Sequence, residues 1–152
     1  MSRLEYDQGE RTFTMSVLNE KDIFKKYIKA FASGVSDEFM QEHVLAPGNY
    51  LWHLFSWEGV PCLKGDEARA AFDALEFDRA IMFEAGFTHI EMHGGMVMTA
   101  KATAMENLRF CDKVSAAELE ECDDTYVIAE DFSWTYVHTH EEMCGPYFLK
   151  VK

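Results

Sequence analysis

His138 and His140 stand in the stretch of this chain with the most chemical potential, Asp131-Phe-Ser-Trp-Thr-Tyr-Val-His-Thr-His-Glu-Glu142, which Cys144-Gly-Pro-Tyr-Phe148 closes. In an extended chain alternate side chains share a face. Phe132, Trp134, Tyr136, His138 and His140 are therefore expected on one side and Ser133, Thr135, Val137 and Thr139 on the other. Two imidazoles side by side suit a metal ion, a proton-transfer step or the polar end of an aromatic face. Zinc needs further ligands, and His89-Ile-Glu91-Met-His93 offers three. On a strand these three share a face, and on a helix His89 and His93 lie one turn apart. A site of His138, His140, His89, His93 and Glu91 would suit zinc, manganese or iron. The metal would activate water for hydrolysis, with Glu91 or Glu141 as base. The chain contains no His-Glu-x-x-His and no dispersed aspartate pattern that fixes a metal. Ordinary half-buried histidines are the simpler reading. The expectation is therefore no cofactor, with zinc or manganese as the alternative.

Other candidates for chemistry are thinner. His53, between Trp52 and Leu54, is placed where burial would lower its pKa and where Glu58 would orient it. Cys144 lies four residues past His140, but the Gly145-Pro146 turn after it points to structural use of that loop. Glycine-rich phosphate loops, dinucleotide fingerprints and nucleophile elbows are missing from the sequence. Trp52, Phe55, Trp57, Trp134, Tyr136, Tyr147 and Phe148 could line a groove, and core packing explains most of them more simply.

Charge points to a different class of function. From Ala30 to Leu149 there are 6 Lys/Arg against 22 Asp/Glu, net −16, and the remaining residues contribute +3 to give −13 overall. A field of that sign repels phosphates and anionic lipid heads, which argues against direct nucleic-acid or membrane binding. It attracts basic protein surfaces. The acidic residues concentrate at Glu118, Glu120, Glu121, Asp123 and Asp124, and again at Glu141 and Glu142. These seven are the expected contacts for a basic protein partner. An acidic surface that serves only solubility is the plainer alternative.

The elements that must position these residues follow from periodicity. At 152 residues and 48% hydrophobic, the chain fits one domain spanning 1–152. No apolar run approaches the roughly 20 residues needed to cross a bilayer, and the start lacks a signal-peptide pattern. The four cysteines are far apart and are expected to be buried thiols in a reducing cytoplasm. Asn19 is a candidate N-cap for a helix carrying Ile23, Phe24, Tyr27, Ile28 and Phe31, with Lys21, Lys25, Lys26 and Lys29 on its solvated side. Ser36 caps a second helix with Phe39, Met40 and Val44 that stops near Pro47-Gly48. Tyr50 to Trp57, apolar on both alternating faces, is expected to be a central strand beside the Trp134 strand. Asp66 is the expected cap of a helix with Ala68, Ala71, Phe72 and Leu75. Ala80 to Phe83 reads as a short strand, and the segment from Phe87 to Leu108 as a loosely patterned helix. Ser115 with Glu118 forms a capping box. Tyr126 to Ile128, the strand from Phe132, and Tyr147 to Val151 complete a C-terminal meander. The fold class is α+β, with N-terminal helices on a central mixed or antiparallel sheet.

Two stretches carry a family resemblance: Leu51-Trp-His-Leu-Phe-Ser-Trp-Glu58 with Gly65-Asp-Glu-Ala68, and Asp131 to Glu141 with Gly145-Pro-Tyr-Phe148. From Leu51 onward the chain resembles a small bacterial family catalogued as a domain of unknown function. The resemblance implies a bacterial or phage origin and a single α+β domain, and it transfers no activity, cofactor or catalytic residue. Charge then leads the functional expectation: a non-catalytic module of the immunity, antitoxin or inhibitor type that occupies a basic surface. A metal-assisted hydrolase using the histidine cluster is the alternative.

Overall fold

A computed structural model describes residues 18–46, 48–88, 90–93, 97–100, 104–141 and 143–151. Helix α1 (Glu20–Phe31) starts where Asn19 accepts a hydrogen bond from the Asp22 amide, and it buries Ile23, Tyr27 and Phe31. Ser36 caps α2 (Asp37–Phe39), which widens into a π-helical turn over Met40–Val44. These helices match their periodicity.

Tyr50 to Trp57 does not form the expected strand. Tyr50 makes one bridge to Phe87, a turn follows, and His53–Ser56 forms the short helix α3. Leu51, Trp52, Leu54 and Phe55 are all buried. A run that is apolar at every position carries no period, so a buried helical turn and a buried strand look alike in it.

After β1 (Leu63–Lys64) comes α4 (Gly65–Asp73), which buries Ala68 and Phe72. Its N-cap is Lys64 rather than Asp66, which lies in the first turn. The remaining strands are β2 (Arg79–Phe87), β3 (Ile90–His93), β4 (Val97–Ala100) and β5 (Ala104–Asp112), then β6 (Thr125–Ala129), β7 (Trp134–His138) and β8 (Tyr147–Lys150). Helix α5 (Ala116–Leu119) separates β5 from β6 and opens on the complete Ser115/Glu118 capping box. The described residues between Phe87 and Leu108 are thus strand, in the antiparallel pair β3–β4 and the first part of β5, and not the expected helix. Left-handed backbone at Ala85 and Asn107 and register shifts between β2 and β5 interrupt the alternation that would have marked strands there.

The main sheet has the order β1-β8-β7-β6-β2-β5, and every pairing is antiparallel. Among the described residues β3 and β4 pair only with each other, in a separate two-stranded sheet. Both faces of the main sheet are covered. Ile81, Phe83, Tyr126, Ile128, Val137 and Tyr147 pack with α1, the π-helical turn and the α3 segment. Their strand neighbours Ala80, Met82, Val127, Ala129, Trp134, Tyr136 and Phe148 pack with α4 and α5. Trp52 and Trp134 therefore lie on opposite sides of the sheet rather than side by side. Phe132 also leaves its expected face: it sits in the turn before β7 with φ 58° and packs with the α1 side. The domain is α+β.

Candidate functional site

The loop that enters β6 and the loop that leaves β7 meet at one end of the sheet, because Thr125 pairs with His138. Asp124 is the joint. Its carboxylate is almost buried, and Oδ1 accepts from the His140 backbone N–H at 2.7 Å and from His140 Nδ1 at 2.8 Å. That pair of bonds places the neutral imidazole's proton on Nδ1 and leaves Nε2 as a lone-pair acceptor, 3.6 Å from Glu141 Oε2. The imidazole of His140 packs against Tyr50 and Trp52, at centroid distances of 5.3 and 6.0 Å. His138, the last residue of β7, is buried, with Nδ1 3.4 Å from the Asp123 carbonyl.

The two histidines are therefore differently placed. β7 ends at His138, and the turn beyond it carries His140 onto Tyr50 and Trp52, which belong to the α1 side. Both still line one polar cleft of about 360 Å³, with Arg69, Glu120, Glu141, Cys144 and Pro146. Around it, Arg69 bridges Asp66 and Glu120, and Cys144 donates to Glu141. The Gly145–Pro146 peptide is cis, and Thr139 bonds the Cys144 carbonyl. Burial and the neighbouring Glu141 push the Cys144 thiol upward, away from thiolate character.

On its other side His140 borders a larger groove of about 790 Å³. Glu84 and Glu106 face it from β2 and β5, where they are register partners, and Glu121, Cys122, Asp123 and Asp124 face it from the β6 entry loop. Tyr50 and Phe87 complete it. The β2 end is shaped for this. Ala85 has φ 86°, and its N–H donates to the Asp124 carbonyl, while Gly86 donates no side chain and lets Tyr126 approach. A Cβ at Gly86 would fall 2.6 Å from the Tyr126 hydroxyl. The Gly86 carbonyl accepts from Leu51 N–H, which pins Tyr50 beside the groove.

The seven acidic positions divide by use. Glu118 Oε1 accepts from the Ser115 amide and closes the capping box, and Glu120 pairs with Arg69. Asp124 holds His140, and Glu141 lies beside it. Glu121 and Asp123 are exposed in the groove, where among the described residues no cation pairs with them or with Glu106. Glu84 is paired with Arg109 at 2.9 Å. Glu142 lies outside the described residues. His89 does too; Glu91 and His93 lie on β3, opposite Thr99 and Val97 of β4. Among the described residues, no three His, Cys, Asp or Glu side chains are grouped to hold a metal ion.

His53 is oriented by Asn49 Oδ1 at 3.0 Å and the His43 carbonyl at 3.2 Å, not by Glu58, which pairs with Lys64. Burial lowers its pKa, as its setting predicts. Of the aromatics that could have lined a groove, only Trp57 is exposed, stacked on His43. The cysteines are free; Cys122 is exposed and the others are half-buried, so the expectation of buried thiols is fully met by none of the four. The residues that pattern-reading left out are Arg69, Glu84, Phe87 and Glu106. They come from α4, β2 and β5, and no sequence spacing connects them to the β7 histidines.

This α+β sheet with its acidic end belongs to a known family. A family model described as a domain of unknown function (DUF4275) matches residues 21–148, and the chain is a member of that family. The match begins well before Leu51 and takes in the N-terminal helices. No curated protein and no solved structure matches the chain. Among the described residues, no helix is long and apolar enough to cross a membrane.

Proposed function

We propose that this chain is an acidic, non-catalytic binding module that seats a basic surface of a partner protein in the groove between the β2–β5 end and the β6 entry loop. The observation that carries the reading is the fate of the carboxylates. Glu118, Glu120 and Asp124 are consumed by the fold, whereas Glu106, Glu121 and Asp123 face one groove with no protein cation on them among the described residues. Like charges held together in a concave surface repel one another and concentrate a negative field. A partner's Lys or Arg relieves that repulsion. Tyr50 and Phe87 add aromatic surface over which an ammonium or guanidinium group can lie. Immunity proteins, antitoxins and inhibitors of nucleic-acid enzymes work by occupying basic sites in this way.

Zero-length carboxylate-to-amine cross-linking in a lysate of the source cells tests the proposal. Cross-links to one partner should map to Glu106, Glu121 and Asp123 and vanish in Glu121→Gln/Asp123→Asn protein. Cross-links confined to carboxylates elsewhere, such as Asp66 or Glu76, and indifferent to those substitutions would overturn it.

A further inference from the structure

We infer that the partner's anchor in the groove is an arginine, its guanidinium lying over the Phe87 ring with its N–H fork on the unpaired carboxylates; this rests on the groove reading above. Phe87 carries the inference. It closes β2, is 37% exposed and, among the described residues, packs into neither of the two core clusters. Its ring meets Tyr50, with 5.1 Å between centroids and 54° between the planes. Tyr50 in turn is braced by Trp52, stacked on it at 5.2 Å, and by His53 set edge-on. The aromatic wall is therefore held in place. Phe87, like Glu106, Glu121 and Asp123, is a groove residue left over from the packing of the fold.

The molecule itself shows what such a set of groups accepts. At the opposite end of β2, Arg79 lies over the Phe110 ring of β5, 3.9 Å from its centroid, and pairs at 2.6 Å with Glu130, which follows β6. There β5, β2 and the end of β6 bring together a phenylalanine, an arginine and a carboxylate. At the groove end β2 supplies Phe87, β5 supplies Glu106 and the loop entering β6 supplies Asp123, and among the described residues no arginine lines the groove with them. Arg109 is already committed to Glu84 at 2.9 Å and to the Asn107 carbonyl at 2.6 Å. Guanidinium suits the vacant place better than ammonium. It is planar and weakly hydrated, so one flat face can lie on a ring while the in-plane N–H groups reach carboxylates. Ammonium is a compact, strongly hydrated charge that gives up more water to reach a ring. Within this chain Lys113 stands 4.8 Å from the Phe77 centroid, farther than Arg79 from Phe110.

The test compares octaarginine with octalysine, two peptides of equal charge at neutral pH, by calorimetry at fixed ionic strength. The native chain should bind octaarginine about fivefold more tightly. Phe87→Leu, which keeps apolar surface and removes the ring, should lose that preference while holding octalysine to within about twofold of native affinity. Phe87→Tyr, which keeps an aromatic face, should retain the preference. By NMR of the native chain, the Phe87 ring protons should shift with octaarginine far more than with octalysine. Equal affinity of the native chain for both peptides, a preference unchanged in folded Phe87→Leu protein, or Phe87 ring protons indifferent to octaarginine would overturn the arginine anchor while leaving the groove in place. Failure to bind either peptide would overturn the groove reading and the anchor with it.

Discussion

The body of β7 and the loop that follows it are built from similar residues for opposite ends. Trp134 and Tyr136 are buried against α4, with Tyr136 stacked on Phe72 at 4.1 Å and Trp134 5.1 Å from Phe77. His140, just beyond the strand, is exposed on one side and held by a single buried carboxylate. Packing by area tolerates no truncation, whereas a side chain fixed by directed hydrogen bonds can hold a precise position while facing water. The difference puts stability in the strand and makes the loop the place where a side chain is held in position while facing solvent.

Trp134→Ala breaks the strand side of this comparison. It should cost about 3–5 kcal/mol as a large core truncation, measured by urea unfolding, and that is enough to unfold a marginal domain. Tyr136→Phe sharpens the same side. The Tyr136 hydroxyl is buried and, among the described residues, without a hydrogen-bond partner, so removing it should leave stability unchanged or slightly raised.

On the loop side, Asp124→Ala removes the acceptor of two His140 bonds. It should cost about 1–3 kcal/mol, with loss of amide-exchange protection at His140. Ser115→Ala should cost about 1 kcal/mol through loss of the α5 cap, a local effect read as faster amide exchange at Glu118.

The pH dependence of stability gives a smaller signal. Burial holds the folded-state pKa of His53 below its unfolded value. The unfolded chain therefore binds the proton more readily, and the His53 contribution is complete above the ordinary imidazole range and lost as pH falls through it. His53→Gln should flatten that part of the curve of melting temperature against pH.

The sequence showed the fold's outline where periodicity was clean. Ile23, Tyr27 and Phe31 marked α1, and the Ser115/Glu118 pair marked α5. It misled at Tyr50–Trp57, where every position is apolar, and between Phe87 and Leu108, where bulges at Ala85 and Asn107 erase the period. Half of the candidate site was visible in the same way. The acidic run before β6 and the histidines after β7 stood out by composition, but their meeting depends on the pairing of Thr125 with His138. Glu84, Glu106 and Tyr50 join them only through the β2–β5 pairing and the Tyr50–Phe87 bridge. Nor does composition separate the carboxylates that fold the chain from those left over.

That separation is the central claim, and the Glu106→Gln/Glu121→Gln/Asp123→Asn variant tests it most directly. Thermal unfolding and octalysine binding are measured together. Relief of repulsion among unpaired carboxylates should leave the melting temperature unchanged or slightly raised, while binding falls at least tenfold and its salt dependence flattens, an estimate of about 1.4 kcal/mol. A lowered melting temperature with binding intact would contradict the account, because these carboxylates would then be holding the fold together.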